Sequence, residues 1–224
     1  MKHGRSAALL ALALAAIPVA ADVPGAVVVL QVSGAPLPGQ VPEAMPDRFV
    51  LLEDGSVFVG GTATIATARL EKGEVRDIEK SLDRIRKIPG LGSSVTLGPG
   101  EQKRRLIVRK GRPLDITAMG DTAAAPAGLR PLASLLDMLG QFDAPSLRPY
   151  KPSAFAVSAR EGTLPGGCRS WTLPVPLAQA VAAPQSVAAS AAERWPTGGE
   201  AASVCAGDKR YVVTLRPLLP GEKP

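Results

Sequence analysis

The residues able to do chemistry are few, and their types narrow the possibilities at once. Among 224 residues there is one histidine, His3, and there are two cysteines, Cys168 and Cys205. His3 lies in a basic and apolar start that reads as an export signal, so the mature chain is expected to carry no imidazole. Ser-His-Asp and Cys-His nucleophiles, His-ligated zinc and an imidazole general base are then all lost. No Ser-x-x-Lys pair replaces them. Carboxylates remain available for acid and base work of the glycosidase kind, which needs two of them facing each other at a set separation. Gly90-Leu91-Gly92-Ser93-Ser94-Val95 starts like a dinucleotide fingerprint but lacks the third glycine and follows Pro89. Gly98-Pro99-Gly100 before Lys103 misses the phosphate-loop spacing, and both stretches read as loops. No cofactor and no metal site is expected.

Two constellations remain. In an oxidising compartment Cys168 and Cys205 are expected to bridge, with two free thiols or a redox pair as the competing readings; no Cys-x-x-Cys poises either sulfur. The second is a run of positive charge: Lys103, Arg104, Arg105, Arg109, Lys110 and Arg112. If residues 103–108 form a strand, Lys103, Arg105 and Arg109 share one face and Leu106 and Val108 the other, with Ile107 misplaced on the charged face. Such a strip is either a solvated sheet face that resists edge pairing or a site for anions. No aromatic residue interleaves these charges, so nucleic acid is not expected as a partner.

The elements that must position these residues can be read from composition and period. The chain is 46% hydrophobic, 21% charged and 4% aromatic, with a net charge of +6, and its mean hydropathy of +0.13 favours a packed core over disorder. With 23 Gly and 22 Pro it falls short of low complexity but should have long loops. Lys2, His3 and Arg5, then the apolar run Ala7 to Ile17, then Val19-Ala20-Ala21, follow the order of a secretory signal peptide, residues 1–21, leaving Asp22 as the expected mature N-terminus. The apolar run is too short to span a bilayer and no later one is longer, so no membrane span is expected. The mature chain would carry a net charge of +4, mild for a nucleic-acid binder.

Residues 22–47 form a Pro-rich N-terminal segment, with one strand at Val27–Val32 before Pro36, Pro38, Pro42 and Pro46. Residues 48–145 and 146–224 read as two α+β subdomains. Asp54-Gly55 between two apolar runs predicts a hairpin over 48–60. Val75, Ile78, Leu82 and Ile85 give one apolar face to a helix over 74–87, with Asp83 and Lys87 placed to pair. Residues 102–108 and 114–117 predict a second hairpin, and the five apolar positions from Leu132 to Phe142 a second amphipathic helix with Pro131 in its first turn. A strand is expected at 154–159, two short helices between Pro174 and Trp195 broken at Pro184, and a third hairpin over 202–216. The fold class is therefore α+β, with antiparallel hairpins and amphipathic helices packed on one side.

The hairpin Phe49 to Phe58, the helix after Arg69-Leu70 and the ending Tyr211-Val-Val-Thr-Leu-Arg-Pro-Leu-Leu-Pro-Gly-Glu222 resemble a group of uncharacterised exported proteins of high-GC bacteria. The absence of Asn and the load of Ala, Gly, Pro and Arg fit the same source. The resemblance implies export to the periplasm or beyond and an α+β build, and it transfers no site. The function expected is that of an exported non-enzymatic protein binding another protein or an envelope polymer, with inhibition as one form. The alternative is a carboxylate-dependent hydrolase acting outside the cytoplasm, and two carboxylates facing across a pocket would separate it from the first.

Overall fold

The computed structural model describes residues 23–33, 48–61 and 64–224. Residues 1–21, expected to be an export signal, and the prolines from Pro36 to Pro46 lie outside the described residues. The described chain is a mixed α+β fold built on two sheets. The larger contains β1 (Ala26–Ser33), β2 (Arg48–Leu52), β3 (Ser56–Gly60), β4 (Ile65–Arg69), β5 (Ser94–Thr96), β6 (Lys103–Val108), β7 (Leu114–Met119) and β8 (Arg148–Pro149), in the order β5-β7-β6-β1-β2-β3-β4-β8. Its pairings are antiparallel except β5 with β7. The smaller contains β9 (Ala154–Glu161), β10 (Gln185–Ala188), β11 (Ala201–Ala206) and β12 (Lys209–Pro217), in the order β10-β9-β12-β11 and wholly antiparallel.

Strand β1 lies between β2 and β6, at the middle of the larger sheet. A continuous apolar run is what a strand buried on both faces requires. Val27, Val28 and Leu30 join one core cluster, Ala26 and Val29 the cluster on the other face. Two consecutive valines share a face because the register slips by one residue between Ala26 and Val28, a bulge that places one extra residue in the strand.

The three expected hairpins all pair. In the first, Gly55 takes φ +85°, a conformation that only glycine adopts without steric cost, and Asp54 accepts hydrogen bonds from the Ser56 amide and hydroxyl, each at 2.9 Å.

Helix α1 (Lys72–Arg86) starts where Glu74 Oε2 accepts the Glu71 amide at 2.7 Å, and it buries Ile78, Leu82 and Ile85. Asp83 pairs with Arg86 at 2.8 Å, one residue short of Lys87, the expected partner; Lys87 instead caps the end of the helix. Helix α2 (Arg130–Gly140) buries Leu132, Ala133, Leu135, Leu136 and Leu139. Both helices contribute to the cluster that holds Leu30, Phe49, Leu106 and Ile116 of the sheet. No helix of the described residues is long and apolar enough to cross a membrane.

Two stretches differ from expectation. Residues 94–96, read as part of a loop, form β5, because Leu97 N donates to Met119 O at 2.8 Å and Thr117 N to Ser93 O at 2.8 Å. The Ala-rich segment does hold two short helices, α3 (Leu177–Ala182) and α4 (Ala189–Ala192), but β10 runs between them and pairs with β9. Val187, buried in the smaller core, supplies the burial that propensity did not indicate.

Candidate functional site

The larger sheet turns one face to α1 and α2, while the opposite face divides in two. Over β1 to β4 it is covered, because Leu219 and Tyr150 pack with Val29, Val50, Phe58 and Ile65, and Phe58 meets Tyr150 edge-on at 5.2 Å. Over β5, β7 and β6 lies an open groove of about 510 Å³, lined by Ser94, Lys103, Arg105, Asp115, Thr117 and Met119 among others. Strand alternation puts these side chains outward while Leu106, Val108, Ile116 and Ala118 enter the core. At the groove's end Gly120 takes φ +96°, and a methyl group there would collide with the Gly98 carbonyl. That close approach lets β5 lie against β7.

Of the three residues of the basic strip, the structure brings Lys103 and Arg105 together in this groove and not Arg109. Arg109 follows the end of β6, and its Nη1 donates to Val23 O at 3.2 Å. Ile107 packs against the covered half of the same face, so it is not misplaced on a charged surface. Arg104 points to the helical side, donating to Gly120 O at 2.9 Å and to Gln102 Oε1, with Asp137 of α2 4.0 Å away. Lys110 meets Glu79 of α1 at 2.8 Å. The loop between β6 and β7 is fastened to α1 by Arg86, which donates to the carbonyls of Lys110 and Arg112 at 2.7 and 3.2 Å.

Arg105 and Asp115 form a two-pronged pair, Nε to Oδ1 at 3.0 Å and Nη2 to Oδ2 at 2.8 Å. This hydrogen bond holds the Asp115 carboxyl below the usual carboxylate range, against an opposing effect of burial, and raises the Arg105 guanidinium. The groove's net charge therefore comes from Lys103, which lines it together with Ser94 and Thr117.

A second depression, of about 570 Å³, lies at the β11 edge of the smaller sheet. Cys168 and Cys205 are bridged there with Cα atoms 5.6 Å apart. The bridge holds residue 169 beside β11, where Arg169 N donates to Ser203 O at 2.9 Å and Arg169 O accepts Cys205 N at 3.2 Å. Sequence reasoning identified the bridge but not the depression, whose other members, Arg169, Glu193, Arg194, Trp195 and Ser203, come from three separate stretches. Trp195 is buried and meets Trp171 edge-on at 5.5 Å; its Nε1 donates to Thr172 Oγ1 at 3.1 Å. The only available signal was the presence of both tryptophans of the chain within thirty residues of Cys168.

No cluster of three or more metal-ligating side chains occurs among the described residues. Comparison of the chain with protein-family models, with curated proteins and with solved structures finds no match.

Proposed function

We propose that this chain is an exported, non-enzymatic protein that binds an anionic envelope polymer through the groove over β5, β7 and β6. The observation that carries the reading is that Lys103 lines, together with Ser94, Thr117 and the Arg105–Asp115 pair, a sheet face that the helices leave open. A cation amid hydroxyl donors suits repeated anionic groups on a flexible chain, and attraction of this kind adds to the rate and orientation of capture. Asp115 supports the reading, because Arg105 occupies its carboxylate in a two-pronged pair and leaves Lys103 as the groove's cation. Export itself rests on the order of residues in 1–21.

Binding of the mature chain to a carboxylated polysaccharide and to polyphosphate, followed across a salt series, tests the proposal. Affinity is expected to fall as salt rises, because screening acts over about 10 Å at 0.1 M. Lys103→Gln should weaken it severalfold and flatten the slope. Arg105→Gln made together with Asp115→Asn, which leaves no carboxylate unpaired, should have the smaller effect. An unchanged affinity and slope in Lys103→Gln would remove the groove from the reading, and selective capture of an acidic protein surface would point to the other partner class.

A further inference from the structure

The depression beside the disulfide is independent of the groove and holds a guanidinium in a fixed orientation with no anion paired to it. Arg169 lies over the Trp195 ring, its Cζ 5.0 Å from the ring centroid, and its Nη1 donates to Arg194 O at 3.0 Å. Those are its side-chain interactions among the described residues, and no carboxylate of the described residues lies within ion-pairing distance of it. The residue is pinned on both sides: its backbone N–H and C=O pair with β11, and the preceding residue is bonded to Cys205. A stacked, backbone-anchored guanidinium has already lost the freedom that a mobile arginine loses on binding, so its remaining fork is ready for a planar two-oxygen acceptor.

Glu193 and Arg194, also lining the depression, carry opposite charges, which leaves Arg169 as the net unit charge. The charge matched to this arrangement is a monoanion.

We propose that the depression beside Arg169 and Trp195 is a binding site for a monovalent carboxylate, held by the Arg169 fork where it lies over the Trp195 ring. The carboxylate can belong to a peptide C-terminus or to a sugar acid, and the experiment separates them. Trp171 and Trp195 are the two tryptophans of the chain, so indole fluorescence and the two indole N–H resonances report on this place. The mature, oxidised protein is titrated with N-acetyl-dialanine, with its C-terminal amide, with glucuronate and with inorganic phosphate. The structure leads to saturable shifts of the Trp195 signals with one or both carboxylates, with the amide and phosphate at least tenfold weaker. Arg169→Gln should lose at least tenfold, and Arg169→Lys, which keeps the charge but not the fork, nearly as much. If acid and amide act alike, if neither carboxylate binds, or if Arg169→Lys binds as tightly as the native chain, the site is overturned. The acid–amide comparison uses unaltered protein and stands even where a variant fails to fold.

Discussion

The two sheets of this protein are stabilised by different means. Among the described residues, the main core of the larger sheet holds 21 buried residues, three of them alanine, whereas that of the smaller holds 11, four of them alanine. Burying a Leu or Ile contributes roughly 1.5–3 kcal/mol, and an alanine methyl much less. A core built from small residues has to be held by something else. In the smaller sheet this is the Cys168–Cys205 bridge, which closes a loop across a sequence separation of 37, together with the edge-to-face pair Trp171 and Trp195, each with its Nε1–H hydrogen-bonded. The two candidate sites follow the same division. The groove stands on a broad sheet face formed by three strands, while the depression depends on a covalent bond that fixes an edge.

The two regions are joined by the C-terminal segment. Leu218 N donates to Ala154 O at 3.0 Å, Tyr150 Oη to Leu218 O at 3.0 Å, and Leu219 enters the core on the covered face of the larger sheet. Glu222, fully buried, accepts the Leu219 amide at 2.7 Å and pairs with Arg216 at 2.8 Å, closing the turn after Pro217.

The difference between the regions can be sharpened or broken by experiment. Replacing both cysteines with serine should lower stability by about 4 kcal/mol, and the loss should be read first by the tryptophans, while amide exchange in β1 and β6 stays slow. If both probes shift together, the two sheets unfold as one cooperative unit and the division is only compositional. Glu222→Ala removes the buried carboxylate that accepts the Leu219 amide and pairs with Arg216, and should lower stability by about 3 kcal/mol in chemical denaturation, this time affecting both regions because the joint is lost. Thr172→Val deprives the buried Trp195 N–H of its acceptor and should cost about 1–2 kcal/mol, confined to the smaller sheet and visible as a changed indole resonance.

The smallest effect concerns pH at the groove. The Asp115 carboxyl is held below its unfolded value, so the Arg105–Asp115 pair stabilises the native state above the ordinary carboxylate range, and that contribution is lost as pH falls through the depressed folded value. Both side chains are more than a third exposed, at 39% and 54%, so solvent screening limits the contribution to a few tenths of a kcal/mol, of the order measured for exposed pairs. Comparing acid denaturation of the native chain with that of Asp115→Asn in the larger-sheet amides should show this small difference, and none in the tryptophan signals.

Local signals in the chain account for the hairpins at Gly55, at 109–113 and at Gly207-Asp208, for both long helices and for the disulfide partners. In each case the cause is local or combinatorial: a glycine at positive φ, an apolar period of 3.6, or two cysteines with no alternative mate. What was not legible depends on distant neighbours. Strand β5 has three residues and no alternation of its own, and exists because β7 offers it hydrogen bonds across the Gly98–Gly120 approach. Strand β10 sits in a segment whose alanines favour helix, and the edge of β9 overrides them. Arg109 looked like a continuation of the charged face, yet the end of β6 and the nearby Val23 carbonyl draw it elsewhere.

By itself the sequence determined that residues 22–224 hold no histidine, which residues form the long helices and the hairpins, and that charge is concentrated around β6. These properties follow from residue types and short-range periods, which do not depend on what the chain later meets. Tertiary structure alone decided that β1 is the middle strand, that Arg105 is neutralised by Asp115 while Lys103 is not, and that Arg169, Trp195 and Ser203 share one depression. Those outcomes turn on which strand edges pair and which faces are covered, and such choices are made by burial and hydrogen bonding between segments far apart in the chain.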